Sequence, residues 1–265
     1  MVEFKYNDLM LIDTHAHLYS DPLWENITDI VGKAKAAGVS HVVMPNIDVE
    51  SIEKMLSIAA QFSNCIPTMG LHPCSVDQES GTVLDLMEEH LSTGKYFGVG
   101  ETGIDLYWDK TYVEEQRMSF ARHLDWAISF DLPVIIHSRD SIDMCIEMVA
   151  EKQKGNLHGV FHCFTGDDVQ AQKIKDLGFF IGIGGVVTYK NSPLPVVLKN
   201  NGWDNVVLET DSPYLPPVPH RGKPNESSYI VHVAEKLCEI FETNFDELAS
   251  ITSKNAAILF SKVSF

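Results

Sequence analysis

Cationic residues are scarce in this chain. Twenty Lys and Arg face thirty-seven Asp and Glu, a formal net charge of −17 over 265 residues. That balance excludes the extended positive surface needed to coat nucleic acid or anionic membrane non-specifically. It does not exclude an anionic substrate held by bound cations, whose field reverses the local sign. Cysteine is scarce too: Cys65, Cys74, Cys145, Cys163 and Cys238 are odd in number and lack CxxC spacing. A disulfide scaffold is therefore excluded, and a reducing compartment is expected. No apolar run reaches the roughly 18 residues of a membrane span, and MVEFKYNDLM has neither a basic flank nor a cleavage site. The expected setting is cytoplasmic, with no membrane partner.

What is present is an ordinary globular composition, 45% apolar, with enough chain for one large barrel or two small domains. A single rhythm of apolar runs and amphipathic segments covers it. Strands are expected at 9–17, 39–45, 65–73, 96–105, 132–138, 157–164, 179–185 and 205–211. Helices are expected at 24–37, 50–62, 82–91, 112–130, 141–151, 168–177, 193–200, 227–241 and 246–260, with Asp168 as a cap. The strand runs are almost continuously apolar, as in parallel strands buried on both faces. Eight β–α units without a linker point to an α/β chain folded as one (β/α)₈ TIM barrel over 1–265. A doubly wound open sheet is the rival. Met10, Met44 and Met69 read as core filler.

The strand ends carry the chemistry. His15 and His17 close the first strand, and period two turns both to one face, as it does Asp13. Glu101, His137, His162 and Asp211 close four others. Each is a good metal ligand just beyond an apolar run, and in a barrel these tips meet at one mouth. The strand order predicts one ion on His15, His17, Glu101 and Asp211. A second would sit on Glu101, His137 and His162, with Glu101 bridging. Without cations, two carboxylates at an apolar rim would repel and lose hydration. Asp13, Asp105 and Glu209 read as supports for the ligands. His41, His90, His123, His158 and His232 fall outside the cluster and are expected to be structural or at the surface.

Together these motifs resemble the TatD family of metal-dependent deoxyribonucleases. The resemblance runs through IDTHAHL (12–18), GLHP (70–73), GETGID (100–105), PVIIHSRD (133–140), HCFTG (162–166), LETDSPYL (208–215) and RGKPNE (221–226). It implies an amidohydrolase-type barrel, the same six ligands, and hydrolysis of nucleic-acid phosphodiesters. Members are described as 3′-to-5′ exonucleases linked to DNA repair, so the expected substrate is a single-stranded DNA end. The segment LYWDKT after GETGID departs from the family pattern without touching a ligand. Related barrels bridge two zinc ions with a carbamylated lysine. Glu101 in that place makes an oxygen-richer site that suits Mg²⁺ or Mn²⁺, while four histidines suit Zn²⁺.

The expected mechanism is attack on phosphorus by water activated at the two ions, with Asp211 orienting that water and Glu101 bridging. Arg221, Lys223 and Asn225, in the loop after the eighth strand, are expected phosphate contacts. Arg139 and His72 are further substrate-side candidates, and Tyr189 and Tyr214 are candidates to stack on a base. The alternatives are an amidohydrolase acting on a C–N or ester bond, and a metal-binding protein without catalysis.

Overall fold

The computed structural model describes residues 10–265, where apolar runs form parallel strands separated by helices. The N-terminal residues 1–9, including Leu9 at the start of the first expected strand, lie outside the described residues. The strands are β1 (Leu11–Asp13), β2 (Val39–Met44), β3 (Cys65–Pro67), β4 (Val99–Asp105), β5 (Val134–Arg139), β6 (Gly159–Phe161), β7 (Phe180–Ile183) and β8 (Val206–Leu208). Around them run α1 (Ile27–Ala36), α2 (Val49–Gln61), α3 (Ser80–Ser92), α4 (Val113–Phe130) and α5 (Ile142–Lys152). The circuit continues with α6 (Asp168–Asp176), α7 (Leu194–Asn201), α8 (Ile230–Phe241) and α9 (Phe245–Leu259).

β1 to β3 form one parallel sheet and β4 to β8 another. Two parallel bridges join the sheets into a ring, Met69 with Val99 and Ala16 with Ser212. At one seam Gly100 N–H donates to the Met69 carbonyl at 2.8 Å; at the other Thr14 N–H donates to Leu208 at 3.0 Å. The fold is thus a distorted (β/α)₈ barrel of the amidohydrolase type.

Strand parity sorts the core into two shells. Ile12, Val43, Ile66, Ile135, Val160 and Val207 form an inner cluster, while Leu11, Val42, Cys65, Val134, Phe161 and Val206 pack outward among the helices. Ala256, Leu259 and Phe260 at the end of α9 join the inner cluster, so the C-terminal helix closes the barrel floor. Continuing the inner parity past Ile135, Val160 and Val207 brings His137, His162 and Asp211 toward the opposite end, the mouth.

Helix starts follow local hydrogen-bond chemistry. Asp48 and Ser51 form a reciprocal capping box at α2, and Asp167 and Gln170 do so at α6. Asp167, not the expected Asp168, is therefore the cap. Met44 and Met69 are fully buried, but Met10 is more than half exposed at the edge of the described chain.

Candidate metal centre

Observed strands are shorter than the apolar runs because the chain leaves ladder geometry at the mouth. Glu101 and His137 lie within β4 and β5, whereas His15, His17, His162 and Asp211 fall just beyond their strands. β1 ends at Asp13, so parity fails there. Asp13 does not join the histidines; both its oxygens accept from Thr210, at 2.9 Å from the backbone N–H and 2.7 Å from the hydroxyl. That pair ties β1 to the chain leading to Asp211. Burial pushes the Asp13 carboxyl up to about 7 despite its hydrogen bonds with Ser227 and Thr210.

Glycines let Glu101 approach its neighbours. Gly100 and Gly103 flank it at φ 130° and 139°. A Cβ at Gly103 would lie 2.0 Å from the His137 carbonyl oxygen, and one at Gly100 2.6 Å from that of Ile135. Only glycine permits both this backbone conformation and this contact with β5.

Six ligand candidates drawn from distant parts of the chain converge, and the two oxygens of Glu101 divide them. Oε2 lies 3.2 Å from His15 Nε2 and 3.4 Å from His17 Nε2. Asp211 Oδ1 completes this group, 3.5 Å from His17 Nε2 and 3.8 Å from His15 Nε2. Oε1 lies 2.8 Å from His162 Nε2 and 3.1 Å from His137 Nδ1. His72 joins the second group, its Nε2 3.3 Å from the same oxygen.

Hydrogen bonds behind the rings fix which nitrogens face inward. The Tyr19 hydroxyl donates to the Pro45 carbonyl, so its oxygen receives the Nδ1–H of His17, 2.8 Å away. The Nε2 of His17 then faces Glu101 and Asp211. His137 is set the other way round. Its Nε2 pairs with Asp105 Oδ2 at 2.9 Å, leaving Nδ1 on the Glu101 side. His72 differs from both: its Nδ1 accepts from Cys74 N–H at 3.1 Å, so its Nε2 carries a proton into the centre.

His17 Nε2 and His137 Nδ1 thus face carboxylate oxygens at a buried site, where a proton or a cation must lie between them. Despite burial, hydrogen bonding to Asp211 raises the pKa of His17, and hydrogen bonding to Asp105 and Glu101 raises that of His137. Buried Glu101 Oε2, His15 Nδ1 and His162 Nδ1 also lack hydrogen-bond partners. Burial opposes ionisation of Glu101, but the surrounding imidazoles of His162, His72 and His15 outweigh it and hold the carboxyl well below its usual range. A buried carboxylate amid imidazole nitrogens, with His17 Nδ1 and His137 Nε2 tied outward to Tyr19 and Asp105, fits divalent ions. These clusters are consistent with a two-metal centre.

The cavity above this centre has a volume of about 830 Å³, and Arg139 and His72 are on its wall. Arg221 and Lys223 are not among the described residues lining it. Arg221 lies over the Tyr189 ring, 4.0 Å from its centroid, farther out on the loop. Tyr214 lines the cavity and meets His17 edge-on at 5.9 Å.

Asn225 requires a correction. It is fully buried, and its amide donates to the carbonyls of Thr210 at 2.7 Å and Tyr214 at 2.8 Å. It braces the loop and has no donor left for phosphate. Sequence reasoning missed Tyr107 and Trp108, which stand exposed beside Arg139 at the rim. Their position directly after GETGID was the available signal.

Residues 12–261 match the model of the family described as TatD related DNase. The chain is 34% identical over 252 residues to the metal-dependent hydrolase YabD of Bacillus subtilis, covering 95% of this chain and 99% of that protein. YcfH of Escherichia coli, another metal-dependent hydrolase, is 32% identical over 256 residues, 95% of this chain and 96% of its own. The crystal structure of the Escherichia coli TatD homologue YjjV superposes with a TM-score of 0.90 at 30% identity, covering 95% of this chain and 98% of that one. With its barrel and its carboxylate-bridged histidine cluster, the chain belongs to the TatD-related DNase family and is a metal-dependent hydrolase.

Proposed function

We propose that this protein is a phosphodiesterase that removes nucleotides from the 3′ end of single-stranded DNA, working 3′ to 5′. The observation that carries this reading is Glu101, whose two oxygens each face a separate set of inward-turned imidazole nitrogens. His15, His17, Glu101 and Asp211 would hold one divalent ion, and Glu101, His137 and His162 a second. Ions so placed would lower the pKa of water and neutralise charge on phosphoryl oxygens.

The protein's own groups complete the chemistry. Asp211 orients the attacking water and accepts its proton at a carboxylate oxygen. The Nε2–H of His72 points into the centre and donates to a phosphoryl oxygen, where charge grows during attack. Arg139 supplies positive charge on the cavity wall. A cavity of about 830 Å³ admits a strand end, while the acidic exterior repels the flanks of a long duplex. The carboxylate bridge favours Mg²⁺ or Mn²⁺ for turnover, and the imidazoles allow Zn²⁺.

The test is an assay of metal-stripped protein resupplied with Mg²⁺, Mn²⁺ or Zn²⁺, using 5′-labelled single-stranded DNA beside amide and lactone panels. A ladder shortening stepwise from the 3′ end is expected. Turnover confined to amides or lactones would replace the nuclease reading with an amidohydrolase one.

A further inference from the structure

Trp108 is 70% exposed and Tyr107 53%, an unusual amount of bare aromatic surface for two adjacent residues. Trp108, with Tyr107 next to it, stands at the mouth of the cavity above the candidate metal centre. Trp108 lines it together with Arg139, whose guanidinium lies 3.9 Å from the Tyr107 ring centroid and 5.5 Å from that of Trp108. The two rings stand perpendicular, centroids 5.0 Å apart.

This rim is anchored to the centre by one buried side chain. Asp105 Oδ1 accepts the backbone N–H groups of Tyr107 at 2.9 Å and Trp108 at 3.0 Å, while Oδ2 holds His137. Leu106 N–H donates to the Arg139 carbonyl at 2.9 Å, fastening the same turn to β5. The aromatic pair is therefore fixed in position relative to a ring of the metal cluster.

We infer that Trp108, with Tyr107 and Arg139, forms a stacking subsite for an unpaired nucleobase of the strand whose 3′ end enters the cavity. This rests on the proposed nuclease function and adds its substrate determinant. In a duplex both faces of a base are covered by its neighbours, so only a single strand or frayed end offers a face to the indole. Stacking serves every base alike, and Arg139 adds a delocalised cation that meets aromatic faces and phosphate. In a chain of net charge −17, this attraction works without a broad basic surface.

Two measurements test it. The first compares turnover of a natural oligothymidylate with one whose three 3′-terminal residues are abasic. The KM ratio between them should be about tenfold in the wild type and fall toward one in Trp108→Ala, with Trp108→Phe between. An undiminished ratio in Trp108→Ala would overturn the subsite. The second titrates metal-loaded protein with a hydrolysis-resistant phosphorothioate oligothymidylate and follows tryptophan emission. Quenching should occur in the wild type, vanish in Trp108→Phe, and weaken about tenfold with abasic 3′ ends. Equal quenching by abasic ends would also overturn it. If the wild type cleaves no phosphodiester with any of the three metals, the nuclease reading fails, and the titration still decides whether the rim binds bases.

Discussion

His137 and Asp105 face each other from neighbouring strands, Nε2 to Oδ2 at 2.9 Å, and this contact leaves Nδ1 of the imidazole to meet Glu101. The carboxylate is buried and also receives two backbone N–H groups, so it has little freedom to turn away. Asp105→Asn presents the ring with an amide and weakens the preference for the Nδ1 lone pair. Metal affinity is expected to fall roughly 10- to 100-fold, the range found for such supporting carboxylates. Metal titration followed by isothermal calorimetry checks it; unchanged affinity would mean that Asp105 does not select the tautomer.

Glu101→Gln replaces one of the two oxygens that face the two ligand groups with an NH2 group, and so breaks the pair. Bound metal should fall below two equivalents per chain, and turnover at saturating metal should drop by at least about 100-fold. Elemental analysis of the dialysed variant, set beside its rate, separates lost metal from lost chemistry. Wild-type turnover would show that the bridge is dispensable.

Chelation should abolish activity and also lower stability, because ions that bind only the folded cluster stabilise it by mass action. An ion at a thousand times its Kd contributes about 4 kcal/mol to the folded state. Thermal unfolding with and without a chelator should therefore differ by many degrees. Coincident melting curves would be incompatible with tight metal binding at these residues.

Asn225 and Arg139 should behave in opposite ways. Asn225→Ala strips two buried carbonyls of their donor, and a loss of about 2–3 kcal/mol in unfolding free energy is expected. Arg139→Ala, at the exposed rim, should leave urea unfolding nearly unchanged and raise KM for oligonucleotides. The reverse pattern would restore Asn225 as a substrate contact.

His123 gives the fold a pH dependence outside the metal cluster. It is wholly buried, accepts Leu71 N–H at 3.0 Å on Nε2 and donates from Nδ1 to the Ser119 carbonyl at 2.7 Å. Burial pulls its pKa from 6.5 down to about 4. Between those values the unfolded chain binds a proton that the folded one does not, so stability falls as pH drops through 6.5 and levels off below about pH 4. The full difference is about 3 kcal/mol. Urea unfolding at pH 7 and pH 4.5 should show a smaller difference in His123→Gln than in the wild type.

The six candidate ligands were legible because their signal is local: a polar side chain able to bind metal directly after an apolar run, repeated at five strand ends. Period two placed Asp13 on one face with His15 and His17, and it failed there because β1 ends at Asp13 and the chain leaves ladder geometry before His15. Arg221, Lys223 and Asn225 share one loop and look alike in sequence. Which of them is buried depends on how the loop packs against the chain around Thr210 and Tyr214, and that is a non-local fact.

The order and composition of the chain alone determined the barrel class and pointed to the six candidate ligands around Glu101, because β–α periodicity and donor chemistry are written residue by residue. The tertiary structure decided which ring nitrogen of each histidine faces inward, that Nε2 of His17 but Nδ1 of His137 meets Glu101, and that Trp108 stands at the rim. Those properties depend on partners such as Tyr19, Asp105 and the Cys74 backbone, whose distances and directions only the closed barrel sets.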